Sequence, residues 1–174
     1  MDEWPVLDSD VDYRNPFFDT GHDRVRRPDG DVADYHWIDP VDGASVVALT
    51  DADRVVLVEE YRPRQRQSML TCPGGAVDPD ELPVEAGRRE LREETGYEAD
   101  DVEHLLSYHP SGWIRHQRHV CLATGLTAGE QELDDGEHIT VRTLPVEEAV
   151  TAVLESGGGW GIGPLLVARE YGHI

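Results

Sequence analysis

Hydrophobic positions along the chain follow two periods. Ala44–Thr50 and Arg54–Glu60 are runs rich in β-branched residues, and the intervening Asp51-Ala52-Asp53 predicts that they pair as a hairpin. Further strands are predicted over Val102–His109, His119–Thr124 and Ile139–Leu144. A helical period takes over between 84 and 95, where Val84, Gly87 and Leu91 share one arc. It returns after Pro145, where Ala149, Val150, Val153 and Leu154 form an apolar stripe that ends at the glycines 157 to 159. Pro164–Tyr171 predicts a last short helix. Strands outnumber helices, and the amphipathic helices at 84–95 and 146–156 are expected to cover a mixed sheet, one on each face, which makes the fold class α/β. No period of 20 to 50 residues recurs, so a repeat architecture is excluded.

The first 36 residues are polar and rich in Asp and Pro. They carry Asn15-Pro16-Phe17-Phe18 and Arg27-Pro28-Asp29-Gly30, the second a turn signal between two short strands. The aromatic group Phe17, Phe18, Tyr35 and Trp37 predicts that this segment packs on something. At 174 residues the chain is long enough for one domain with an appendage.

Charge narrows the choice of partner. The chain has 36 acids against 15 bases, all of them arginine, for a formal net charge of −21. Such a balance repels nucleic acid and anionic membranes, and it repels a phosphorylated ligand unless metal and local arginines reverse the field. The acids alternate with apolar runs instead of forming a tail, which resembles the acidic, lysine-poor surface of halophilic proteins. Cys72 and Cys121 have no CxxC spacing, so neither a disulfide framework nor a zinc site is predicted, and both are expected to be reduced and buried. The start of the chain has neither a basic segment nor an apolar stretch of signal or membrane-spanning length, which predicts a cytoplasmic protein.

The chemistry concentrates between 75 and 97. At about 100° per residue, Glu90, Glu93 and Glu94 fall within one quarter of the helix circumference, while Glu85, Arg88 and Arg92 point to the opposite side. Like charges at this spacing oppose each other, so the edge either holds protons or holds a cation. Oxygen donors without Cys or His suit Mg²⁺ or Mn²⁺ better than Zn²⁺. Gly75, five residues, Glu81, seven residues, Arg89-Glu90-Leu91, one residue, Glu93-Glu94, one residue and Gly96-Tyr97 together resemble the Nudix box in every defining position.

That resemblance implies an α/β/α Nudix sandwich over residues 40–174, preceded by a β-rich extension over 1–39. It also implies a hydrolase that uses Mg²⁺ or Mn²⁺ to cleave the diphosphate of a nucleoside diphosphate derivative. By the match Glu90, Glu94 and the backbone carbonyl of Gly74 are metal ligands. Glu93 is a further ligand or the residue that deprotonates water, and Arg89 holds Glu93. Asn-Pro-aromatic, a short strand, Pro-Asp-Gly and a Tyr-containing strand resemble the extension of the ADP-ribose pyrophosphatase branch, which implies a homodimer and a small nucleotide substrate. The same branch implies a phosphate contact for Arg62, for which a surface ion pair with Glu59 or Glu60 is the plainer alternative. It also implies a catalytic glutamate in the acidic loop 131–138. Glu137 is the best-held candidate there, the alternative being an ordinary solvated acid.

In the loop 110–117, Trp113 either stacks on a base or anchors local packing, while Arg115 and Arg118 bring positive charge suited to phosphate. Thr71 and Gly74 depart from the glutamate and alanine usual in the branch, which weakens the substrate assignment more than the metal site. The competing functions are a Nudix hydrolase of nucleoside triphosphates and a Nudix-fold module that binds a nucleotide sugar without cleaving it.

Overall fold

The computed structural model of the chain describes residues 2–174. It divides into two compact units, one formed by the residues up to Asp42 together with Tyr108–Gln117, the other by Gly43–Ser107 and Arg118–Ile174.

In the first unit, β1 (Val6–Arg14), β2 (Phe18–Arg26) and β3 (Val32–Pro40) form an antiparallel sheet in that order. The Arg27-Pro28-Asp29-Gly30 turn joins β2 to β3 as its composition predicts, with Gly30 at φ 93° and the Arg27 N–H bonded to the Asp31 carbonyl at 2.8 Å. The sequence predicts two strands here and the structure has three. β1 alternates Val and Tyr with Asp and Ser and is exposed along its whole length, so no buried face marks it. Trp37 is the buried aromatic of this unit, and its indole N–H donates to Asp23 at 3.1 Å. Residues 108–117 join the unit through backbone bonds, from Ile38 N–H to the Trp113 carbonyl at 3.0 Å and from Arg115 N–H to the Ile38 carbonyl at 2.9 Å.

The second unit contains β4 (Gly43–Thr50), β5 (Arg54–Arg62), β6 (Gln67–Thr71), β7 (Gly74–Ala76), α1 (Pro83–Thr95), β8 (Tyr97–Tyr108, whose last residue falls in the first unit), β9 (Arg118–Ala128), β10 (Ile139–Pro145), α2 (Val146–Ser156) and α3 (Gly159–Glu170). The sheet order is β10-β5-β4-β9-β8, with β6 paired to β5 and β7 to β4. It is mixed because β4 and β9 run parallel while β4, β5 and β10 are antiparallel. Val46, Ala48, Val56, Cys121 and Ala123 pack with Leu91 of α1 on one face. Period-two alternation sends Val47, Val55 and Leu57 to the other face, where α2 and α3 lie against the sheet.

The α1 ends are built for a helix. Pro83 occupies the first turn, the Glu85 carboxylate accepts the Leu82 N–H at 2.8 Å, and Gly96 takes the left-handed conformation at φ 74°. The last helix starts five residues before Pro164, the residue that predicts its beginning. Trp160 lies against Gly43, where a Cβ would collide with its ring, and this packing carries the helix through the proline. Cys72 and Cys121 are free and buried, as expected, and burial pushes both thiols up to about 12. Among the described residues, no helix is long and apolar enough to cross a membrane.

Candidate active site

A cavity of about 280 Å³ opens in the second unit where four elements meet. The end of β5 contributes Glu60 and Arg62, β7 contributes Gly74, Gly75 and Ala76, α1 contributes Arg89, Glu90, Glu93 and Glu94, and the loop before β10 contributes Asp134 and Glu137. Seven residues singled out in the sequence therefore share one space: Arg62, Gly74, Arg89, Glu90, Glu93, Glu94 and Glu137.

Glu94 lies deepest, with 4% of its surface exposed, and its Oε2 accepts the Gly74 N–H at 2.8 Å. Burial pushes its carboxyl up to about 8, and the charges of Glu90 and Glu137 push in the same direction, while the Gly74 N–H and Arg62 oppose them. Glu90 is also raised, chiefly by burial, with Arg89 pulling it back and Glu93 and Glu137 adding to the rise. A cation bound beside such crowded, buried carboxyls would favour their ionised form.

Arg89 holds this acidic edge in place. It donates to both oxygens of Glu81 at 3.0 Å, to Glu90 at 2.7 Å, to Glu93 at 3.3 Å and to the Ala76 carbonyl at 2.9 Å. The pair lowers Glu81 and raises Arg89, each chiefly through their mutual hydrogen bonds. The predicted Arg89–Glu93 contact is present, but Glu81 and Glu90 are the closer partners. Gly75 has a steric role, since a Cβ there would overlap the Glu90 carboxylate.

Arg62 lines the cavity and pairs with Glu60 at 2.9 Å, the ion pair of its plainer reading. Glu60, expected from the sequence only as an ion-pair partner, also lines the cavity, since strand alternation places it on the same side as Arg62. Glu137 reaches back within its own loop to accept the Asp134 N–H at 3.1 Å, with Gly136 at φ 91° making the turn.

The remaining candidates occupy other surroundings. Arg118 lies 4.4 Å over the Trp160 ring, and its buried Nε has no hydrogen-bond partner. In the first unit, Arg115 lies 3.9 Å over Trp37 and pairs with Asp23. Trp113 is exposed, held in its loop by its backbone carbonyl.

Residues 39–160 match the NUDIX domain. The chain belongs to the Nudix family of hydrolases. Residues 4–38 match the nucleoside diphosphate sugar hydrolase N-terminal domain, which places the enzyme among the Nudix hydrolases with that extension. The methanol dehydrogenase activator of Bacillus methanolicus is 32% identical over 136 residues, covering 76% of this chain and 74% of its own length. The ADP-ribose pyrophosphatase of Bacillus subtilis is 29% identical over 132 residues, 74% of this chain and 71% of its own. A crystal structure of an ADP compounds hydrolase shares the fold with a TM-score of 0.83 over 98% of this chain and 95% of its own, at 22% identity.

Nudix hydrolases use a divalent cation, and the donors in this cavity fit one. Glu90, Glu93, Glu94 and the Gly74 carbonyl offer only oxygens, and burial raises both Glu90 and Glu94.

Proposed function

We propose that this Nudix hydrolase cleaves the diphosphate of ADP-ribose or a related nucleoside diphosphate sugar, releasing a nucleoside monophosphate and a sugar phosphate. The observation that carries the reading is one cavity combining crowded carboxylates with Arg62 and Arg89. The N-terminal match and the ADP-ribose pyrophosphatases among the relatives support this substrate class.

Glu90, Glu94, Glu93 and the Gly74 carbonyl would hold Mg²⁺ or Mn²⁺. When bound, the ion neutralises diphosphate charge and acidifies a water. Arg62, held by Glu60, presents a guanidinium to the phosphates. Arg89 fixes the acidic edge through its bonds to Glu81, Glu90 and Glu93. Glu137 takes the proton of the attacking water. It is a better acceptor than a cation-bound carboxylate, whose ionised form the cation stabilises. Trp113, Arg115 and Arg118 remain proposed contacts to the rest of the substrate.

The enzyme acts in this reading as a cytoplasmic homodimer, supported by two unpaired thiols and by the exposed Val6, Leu7, Val11 and Tyr13 along β1. A panel of nucleoside diphosphate sugars and nucleoside triphosphates, each with Mg²⁺ and Mn²⁺, tests the function. AMP and a sugar phosphate formed faster from ADP-ribose than ATP is hydrolysed supports it. Pyrophosphate release from ATP as the main reaction moves the enzyme to another branch, and binding of ADP-ribose without turnover makes it a sensor. Sedimentation of the same preparation tests the dimer.

A further inference from the structure

The N-terminal sheet carries a group of side chains that the diphosphate chemistry does not use. His22 of β2 and His36 of β3 are directly opposed in the strand register, which places both imidazoles on one face. Their ring centroids are 5.5 Å apart. Asp10 of β1 stands opposite His22 on the other side, and an irregularity in the β1–β2 register between Val11 and Tyr13 falls at Asp12. A bulge at this point re-aims a side chain. The Asp12 carboxylate meets His22 Nδ1 at 3.0 Å. One donor atom each from Asp12, His22 and His36 lies within 4.8 Å of the other two.

We propose that Asp12, His22 and His36 form a site for one borderline divalent cation of the Zn²⁺ class, joining all three strands of the N-terminal sheet.

The distances allow it. Three atoms no more than 4.8 Å apart share a point within about 2.8 Å of each, and closing to the ~2.1 Å of a zinc bond takes less than about 1 Å of side-chain movement. Asp12 and His36 are exposed and free to make that movement, while His22 is more enclosed and fixes the position. Two imidazoles and one carboxylate are a donor set for Zn²⁺, Co²⁺ or Ni²⁺ and a poor one for Mg²⁺, so this site and the all-oxygen cavity select different ions.

A second observation supports ligation through Nδ1. The other ring nitrogen of His22, Nε2, faces Asp10 at 3.9 Å, the place where metal-bound histidines usually present their remaining N–H to a carboxylate. The surrounding charge also favours a cation, since Asp10 and Asp34 act on His22 beside Asp12, and the neighbouring base Arg24 is bound to Asp34 at 3.0 Å. Three protein ligands leave a fourth position for water. The site has a mechanical consequence because β1 is exposed throughout and held by its pairing to β2. A cation shared by Asp12, His22 and His36 ties that strand to β3 as well.

Chelator-treated full-length protein titrated with ZnCl₂ by calorimetry, in saturating MgCl₂, tests the proposal. One equivalent of zinc should bind to the wild type and to Glu94→Gln alike, and the ring signals of His22 and His36 should shift in ¹H–¹⁵N spectra. Affinity should fall by more than about tenfold in His36→Ala and in Asp12→Asn, and zinc should raise the melting temperature of the wild type but not of these variants. Both substitutions fall at exposed positions, and an unchanged circular dichroism spectrum verifies folding. Undiminished zinc affinity in both variants, or histidine rings that do not respond to zinc, overturns the site.

Discussion

At the scale of single residues, Glu94 is where burial and chemistry conflict most. Its carboxyl is pushed up to about 8 from an ordinary 4.5, so without metal the native chain keeps a proton that the unfolded chain releases. That stabilisation is complete below about pH 4.5 and is lost as pH rises through about 8. Glu94→Gln, neutral at every pH, should therefore be more stable than metal-free wild type at pH 9, by no more than about 5 kcal/mol, with the gain fading towards pH 4.5. Urea unfolding in chelator across this range measures it, and parallel pH curves for the two proteins would refute the conflict. The same variant should lose nearly all turnover with Mg²⁺ present. Glu137 is predicted to fail differently: Glu137→Gln should lower kcat by about 10² to 10⁴-fold with little change in KM. A kcat held within a few-fold, together with inactive Glu93→Gln, would move the base to the helix.

At the scale of elements, the site depends on how closely α1 lies on the sheet. Gly87 sets that separation, because a Cβ there would come 2.9 Å from Val46 Cγ2 and 3.5 Å from Cys121. Gly87→Val should push the helix away from β4, lower stability by about 1–3 kcal/mol and reduce kcat while the fold persists. Denaturant unfolding and kinetics on one preparation check this, and unaltered values for both would show that the contact yields freely. The helix and its acids were readable in the chain because Val84, Gly87 and Leu91 repeat at helical spacing while Glu90, Glu93 and Glu94 carry the box pattern. The hairpin of β4 and β5 was readable from its β-branched runs. Three features left no local mark. β1 buries no face, β6 and β7 are short pairings beside glycines, and α3 begins early because Trp160 packs on Gly43, a contact between residues far apart in sequence. Within the site, Arg89's grip on Glu81 was likewise decided by folding, since it brings together residues whose spacing alone suggests a solvated surface, whereas the Glu60–Arg62 ion pair was readable from their closeness in sequence.

At the scale of the molecule, a charge of −21 with no lysine sets the response to salt. Screening relieves self-repulsion, so the melting temperature should climb as KCl rises from dilute to molar. A flat or falling curve would remove the halophilic reading. The path of the backbone has another consequence. The first unit is discontinuous, since the chain leaves it at Asp42 and returns for Tyr108–Gln117, where Ile38 trades backbone hydrogen bonds with Trp113 and Arg115. Exchange of the N-terminal sheet at its single junction after Asp42 therefore does not carry the whole unit with it. A splice there would bring in three strands and leave their fourth segment behind, written in the recipient's own sequence. A chimera that replaces this sheet should therefore replace Tyr108–Gln117 after β8 with it.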